Sequence, residues 1–238
     1  MHLAFTKINE ALRLGRIEGR LSETIFTLEG IARLDRKSLL GSYKPRVNVS
    51  AEEVLSDGSM RIGLNIGPDR SAHPGNNSYL SSHLRDALTL GFKLMRCPRV
   101  AGIVNPDIEE EWYVQSSSLS SDMANKFGEV GQRIEAAGAG IAWIKAIGNR
   151  YAGPSEHWTD GLANAPATEQ KNIASAVAEW ADADTVSAHV AYGNHYICTR
   201  DAAKAAGQNS VFSFSNRVWL VKEYGVKFIS PDELATLV

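Results

Sequence analysis

Hydrophobic residues recur at helical spacing in the first part of the chain. Ile8, Leu12 and Leu14 predict a helix over Thr6–Leu14. The apolar positions from Ile25 to Leu34 predict a second helix, with Ser22 as its N-cap. The elements predicted next are a strand Met60–Ile66, a loop Gly67–Asn77, a helix Ser82–Leu94 and a strand Val100–Val104.

Helices and strands alternate in the second half of the chain. The predicted elements are helix Met123–Ala137, strand Gly140–Ile147, loop Gly148–Pro166, helix Glu169–Ala181, helix Asp184–Tyr192, strand His195–Thr199, helix Asn216–Tyr224, strand Val226–Ile229 and a last helix from Pro231. Gly225 follows one of these helices in the position of a C-cap. Alternation over short links predicts parallel strands, so we expect an α/β fold with a central, mainly parallel sheet.

Composition adds mainly exclusions to this picture. The hydrophobic fraction of 44% and the charged fraction of 22% are ordinary for a globular protein, and they exclude a disordered or collagen-like chain. We find no internal repeat and no linker that would divide the 238 residues. We therefore expect a single domain over 1–238, with an insertion at about 42–82.

The lack of a recognisable targeting signal and the small number of cysteines favour a cytoplasmic protein. The longest uncharged apolar stretch, Ala136–Ile144, is far shorter than the ~18–20 residues of a membrane helix. Lys7 and Glu10 interrupt any apolar segment of a secretory signal. The two cysteines, Cys97 and Cys198, are too few for a disulfide framework. We expect no membrane partner.

The net charge of −2 conceals a basic N-terminal segment. Residues 1–50 carry nine bases against five acids, a net +4, which leaves −6 for the rest of the chain. A local basic face attracts phosphate backbones even when the whole protein is acidic. The alternative is a solvated helix surface with ion pairs within the helix, and the charges alone leave both interpretations open.

Several acids stand at positions where a carboxylate has chemical use. Glu29 shares a helix face with Ile25 and Phe26, where a metal ion or its neighbour Arg33 would offset the cost of burial. Asp184 opens a predicted helix, so it is either a cap or a ligand, and Asp201 directly follows a predicted strand. Oxygen-only ligands suit Mg²⁺ or Mn²⁺.

The segment ADADTVSAHVAYGNHYICTRD, from Ala181 to Asp201, resembles the signature half of a PIN domain. That pattern has an Asp opening a helix with small residues, a Gly, a short strand and then Thr-x-Asp. The tail VKFISPDEL resembles the closing strand and helix of the family, and GRLSETIFTLEGI resembles the segment that carries its helical Glu. The resemblance covers roughly Lys7–Arg36 and Trp143–Val238.

PIN domains are typically metal-dependent ribonucleases with a three-layer α/β/α fold, and many are toxins of toxin–antitoxin pairs. The resemblance implies that Glu29, Asp184 and Asp201 hold Mg²⁺ or Mn²⁺, with Asp182 as an alternative or additional ligand. On one helix, Asp182 and Asp184 diverge by ~200°, so we expect one of them, preferably Asp184, to face the site. Thr199 would position Asp201 or a metal-bound water.

The resemblance also implies RNA as the substrate, with an antitoxin, another protein or a second copy of the chain as partner. Arg13, Arg16 and Arg20 are the candidates for contacts to the RNA backbone. One departure matters: the family opens with a strand that ends in a metal-binding Asp, and no Asp precedes Asp35 here. Asp160 is a candidate substitute. The alternative is a catalytically degenerate module that binds RNA or a protein.

Overall fold

The described residues of the computed structural model are 2–42, 46–54, 56–67, 78–98, 108–115, 119–201, 203 and 207–238. The fold is mixed α/β, mostly helical, with a few short strands. The helices are α1 (His2–Arg13), α2 (Thr24–Thr27), α3 (Arg36–Gly41), α4 (Ser78–Thr89), α5 (Ser121–Ala136), α6 (Ile141–Asn149), α7 (Trp158–Asn164), α8 (Gln170–Ala191), α9 (Phe214–Tyr224) and α10 (Pro231–Leu237). The strands are β1 (Arg20–Ser22), β2 (Arg46–Val54), β3 (Met60–Gly67), β4 (Lys93–Met95), β5 (Ile197–Cys198) and β6 (Phe228–Ile229).

The described strands form three separate pairs. β1 pairs with β4 and β5 pairs with β6, both in parallel, while β2 and β3 form an antiparallel hairpin inside the predicted insertion. Parallel pairing of short strands agrees with the α/β prediction. The single central sheet is not seen among the described residues, since the three pairs share no strand and the parallel strands are only two or three residues long.

Several other elements pack around helix α8, and not around the central sheet that was predicted. Helix α8 runs unbroken over 22 residues, so the prediction of two helices separated at Asp182 was wrong. The predicted break lies at the polar residues Asp182 and Asp184. No Gly or Pro stands between Ala181 and Asp184 to interrupt the helix. Apolar residues such as Ile173, Val177 and Val186 are fully buried along it. Other elements pack around this helix, as expected for one that is buried on several sides.

The segment GIAWIKAI is helical, so the predicted strand Gly140–Ile147 was wrong. Ile141, Ile144 and Ile147 are spaced by three residues, and all three are buried on one face of α6. The predicted loop Gly148–Pro166 contains helix α7. The two helices approach closely at glycines, since a Cβ built on Gly161 would lie 1.9 Å from the Gly148 carbonyl oxygen.

The predicted helix after Ser22 is much shorter than expected. Ser22 ends β1 and does not cap a helix, and α2 contains only four residues. Glu29 therefore lies in the turn that follows α2. The first predicted helix is confirmed as α1, which packs against α10 through Ile8, Leu12 and Ala235.

Most C-terminal predictions are confirmed. Helix α9 ends at Gly225, whose φ of 66° is the left-handed conformation expected of a C-cap glycine. Strand β6 and helix α10 follow, and α10 begins with a capping box between Ser230 and Glu233. The helix Met123–Ala137 and the strand Met60–Ile66 are confirmed within two residues as α5 and β3.

Of three other predictions, one is shifted along the chain and two lie at least mostly outside the described residues. The helix predicted over Ser82–Leu94 begins and ends earlier, as α4, and gives way to β4. Apart from Gly67, the loop Gly67–Asn77 lies outside the described residues, as does the strand Val100–Val104. Within the described part of the chain, no helix is both long and apolar enough to cross a membrane.

Candidate functional site

Four carboxylates, which we call the acid cluster, interact across three segments of the chain. Helix α8 contributes Glu179 and Asp182, which are three residues apart and share one face. Glu29 comes from the turn after α2, and Asp201 from the turn after β5. The charges of Glu29, Glu179 and Asp201 all act on Asp182. The fold thus gathers acids that are up to 172 residues apart in sequence.

Asp182 is the member of the cluster whose carboxyl group is most perturbed. Burial, and after it the negative charges of Glu29, Glu179 and Asp201, together raise its pKa to about 8. A carboxyl group with such a pKa carries a proton at neutral pH when no cation is near.

Glu179 is 6% exposed, and it was missed by the sequence analysis. Its carboxylate accepts hydrogen bonds from the Ser210 side chain and the Val211 backbone, yet burial still raises its pKa to about 7. Its buried Oε2 atom has no hydrogen-bond partner among the described residues. An acid within the apolar sequence IASAVAEWADAD was the available signal.

Glu29 is partly buried, and burial raises its pKa. The positive charges of Arg36 and Arg33 act in the opposite direction. Arg36 binds this segment through the backbone, since its Nη2 donates to the Glu29 carbonyl oxygen at 2.9 Å. The buried Arg36 side chain therefore acts on the Glu29 carboxylate through its positive charge, while its described hydrogen bond to this residue is made with the backbone carbonyl.

Asp201 is exposed, and its conformation is fixed by local hydrogen bonds. Its backbone N–H donates to Thr199 Oγ1 at 3.0 Å, and its Oδ1 accepts from the Ala203 backbone at 2.7 Å. Arg217 donates to the Asp201 carbonyl oxygen. Thr199 thus contacts Asp201 through its hydroxyl group, on the backbone side of that residue.

Asp184 lies on the opposite side of α8 from Asp182. It is fully buried, and Cys97 Sγ lies 4.0 Å from its carbonyl oxygen. After burial, the charge of Asp184 is the strongest influence that raises the pKa of the Cys97 thiol. The structure therefore brings Asp182 together with Glu29 and Asp201, whereas the sequence favoured Asp184 for that position.

A partly buried carboxylate, Glu23, lies on this other side of α8. It accepts hydrogen bonds from the Cys97 backbone and from the Tyr113 hydroxyl group. Burial raises its pKa, while these two hydrogen bonds lower it. Both carboxylate oxygens of Glu23 accept hydrogen bonds, whereas Oε2 of Glu179 has no hydrogen-bond partner among the described residues.

The remaining candidate residues have other surroundings. Arg13 and Arg16 are exposed near the end of α1. Arg20 donates to Asn194 Oδ1 at 2.9 Å and pairs with Glu18 at the same distance. Asp160 accepts from the His157 backbone at 3.0 Å in the capping box of α7. No described contact brings these four residues to the acid cluster.

The chemistry of the acid cluster fits a hard divalent cation, whereas its side chains are not arranged to coordinate one. Its donors are carboxylate oxygens, which Mg²⁺ and Mn²⁺ prefer, and the buried Glu179 Oε2 offers an unused acceptor. However, no three His, Cys, Asp or Glu side chains in the described ranges are arranged to hold one ion. Binding would require the side chains to close around the cation.

No protein-family model matches the chain, and no curated protein or solved structure is significantly similar to it.

Proposed function

We propose that this chain is a divalent-metal-dependent endoribonuclease of PIN-like type, which hydrolyses RNA phosphodiester bonds in the cytoplasm. The observation that carries the proposal is the acid cluster, where burial and like charge hold Asp182 and Glu179 at raised pKa values. A bound cation relieves both effects, because it replaces protons as the partner of the carboxylates.

Glu29, Glu179, Asp182 and Asp201 would hold Mg²⁺ or Mn²⁺. When bound, such an ion lowers the pKa of a water molecule and stabilises negative charge on phosphate oxygens. Thr199 orients the Asp201 segment through the hydrogen bond from the Asp201 backbone to its hydroxyl oxygen. Arg13 and Arg16 are exposed and available to RNA phosphates, while Arg20 is engaged with Glu18 and Asn194.

The three-layer α/β/α fold belongs to the same proposal. Its support is the parallel pairing of β1 with β4 and of β5 with β6. Asp201 comes from the segment that follows the carboxyl end of β5, where α/β folds bind ligands, and Glu29 comes from the turn after α2, the helix that follows β1.

The test is cleavage of a labelled single-stranded RNA by the purified chain with Mn²⁺ or with EDTA. We expect cleavage with Mn²⁺, and loss to the EDTA background in Asp182→Asn and Asp201→Asn. Asp86→Asn is the matched control, since Asp86 is an exposed aspartate of α4. Equal cleavage by all variants contradicts the proposal. Loss in Asp184→Asn with activity kept in Asp182→Asn would place the site on the other side of α8.

A second candidate function is a degenerate module that binds RNA or a protein, such as an antitoxin or a second copy of the chain, without catalysis. The positive charge of Arg36 beside Glu29 and the hydrogen bond from Ala203 to Asp201 favour it, because both give these acids partners within the protein. Calorimetric titration with MnCl₂ separates the two functions. If the chain is a degenerate module, MnCl₂ should give no more binding heat with the parent than with Asp182→Asn. EDTA should then leave the binding of RNA unchanged.

A further inference from the structure

Arg36 is a buried arginine whose guanidinium group binds only backbone oxygens in its described hydrogen bonds. It is 4% exposed. Its Nε donates to the Ile31 carbonyl at 3.0 Å, Nη1 to the Ala174 carbonyl at 2.7 Å, and Nη2 to the Glu29 carbonyl at 2.9 Å. Hydrogen bonds from a charged donor are stronger than neutral ones, so the three bonds together form a firm anchor.

These bonds connect the Glu29 turn to helix α8. Glu29 and Ile31 belong to the turn, whereas Ala174 is in the first part of α8. Helix α2, which precedes the turn, has four residues and is too short to hold a conformation by itself. The placement of the turn therefore depends on contacts with the rest of the fold. Thr24 Oγ1 at the start of α2 donates to the Ala181 carbonyl of α8 at 3.3 Å, and Arg36 is the residue that bonds both the turn itself and α8.

Ala174 is at a defined distance from the acids of α8. It precedes Glu179 by five residues and Asp182 by eight, or ~7.5 Å and ~12 Å along the helix axis. By holding the Glu29 carbonyl and the Ala174 carbonyl on one rigid, planar group, Arg36 limits how far the turn can move along α8.

We propose that Arg36 is a positioning residue, which sets the Glu29 carboxylate against Glu179 and Asp182 and thereby determines the affinity of the acid cluster for a divalent cation. This inference rests on the proposed function. Arg36 acts through Glu29 and does not contact the cation.

Arg33 provides a matched comparison. Its charge also acts on Glu29, but its side chain is exposed. Arg36→Lys keeps a positive charge and loses the planar fork that reaches three carbonyls, whereas Arg33→Gln removes a charge and leaves the fork intact. A purely electrostatic role of Arg36 predicts that Arg36→Lys is harmless, and a positioning role predicts that it is not.

The experiment is calorimetric titration of the full chain with MnCl₂. We expect Arg36→Lys to weaken Mn²⁺ binding by about 10-fold, as is typical when the support of a metal ligand is lost, and Arg33→Gln to stay close to the parent. In the Glu29→Gln background, Arg36→Lys should have no further effect, because Arg36 acts through Glu29. Parent-like affinity of Arg36→Lys, or an equal loss in both backgrounds, overturns the proposal.

A second measurement separates this proposal from the proposed function. If the parent chain does not bind Mn²⁺, the proposed function fails, and the role of Arg36 in setting cation affinity fails with it. Hydrogen exchange then decides whether the anchor exists: faster exchange over residues 28–31 in Arg36→Lys, with α8 still protected, supports it. Unchanged exchange over residues 28–31 overturns the anchor as well, whatever the metal titration gives.

Discussion

Replacing Asp182 by Asn is expected to change how the stability of the protein depends on pH. In the folded protein the pKa of Asp182 is about 8, while the ordinary value is 3.8. Between these values the folded protein keeps a proton that the unfolded chain has lost. A raised pKa in the folded state contributes stability that is fully present below pH 3.8 and is lost as the pH rises through about 8.

The expected change in the free energy of unfolding follows from the one proton that folding takes up. Each pH unit at which folding takes up one proton lowers the free energy of unfolding by about 1.4 kcal/mol. Over the two units from about pH 5 to about pH 7, the parent should therefore lose about 3 kcal/mol that Asp182→Asn does not lose. Glu179, with a pKa of about 7, acts in the same direction. It remains in the variant, so the comparison isolates Asp182.

The assay is urea unfolding followed by circular dichroism at several pH values, with EDTA present to exclude cations. The control is Asp86→Asn, in an exposed position of α4, which should keep the pH profile of the parent. Parallel profiles for the parent and Asp182→Asn would refute the reasoning, since they would show that Asp182 is ionised in the folded protein over this pH range.

Three further predictions concern the cation, the α6–α7 contact and a buried histidine. Mn²⁺ at 100 times its dissociation constant should raise the free energy of unfolding by about 2.7 kcal/mol in the parent and not in Asp182→Asn, and equal shifts in both would place the ion elsewhere. Gly161→Ala should destabilise strongly because its Cβ would meet the Gly148 carbonyl, whereas Gly128→Ala in α5, with open space around it, should stabilise by up to ~1 kcal/mol. Calorimetric melting checks both, and equal melting temperatures contradict the packing. Burial lowers the pKa of His189 to about 4 from 6.5, so its contribution is full above pH 6.5 and falls as the pH drops toward 4. Urea unfolding of His189→Gln should show a flatter profile in that window, and an unchanged slope would mean that the histidine is solvated.

The elements that sequence alone predicted well carry their signals within a few residues. Helix α9 ends at Gly225 because a left-handed residue is favourable there, and α10 begins at a Ser and Glu that cap each other. Helix α5 combines a Ser cap with regular apolar spacing. In each case the stabilising contact lies within one turn of the chain, so the printed sequence contains all of it.

The elements that sequence misplaced depend on partners far along the chain. The spacing of the isoleucines in α6 and the buried apolar residues of α8 become decisive only when other helices pack on them. Asp182 and Asp184 look alike in the sequence, yet one faces Glu29 and Asp201 and the other approaches Cys97.

The candidate site divides in the same way between sequence and tertiary structure. Residue type and position in the sequence favoured Asp184 as the acid of α8 with chemical use, and the structure places Asp184 on the other side of that helix. Glu29 and Asp201 were identified in the same way, whereas Asp182 entered only as the alternative ligand that the family resemblance implied. Packing alone brings Glu29, Asp182 and Asp201 close to Glu179. Packing also places Arg36 where it connects the Glu29 turn to α8. The physical reason is that a hydrogen bond or charge interaction depends on distance in space, and contacts across 100 or more residues are set by which faces the core buries.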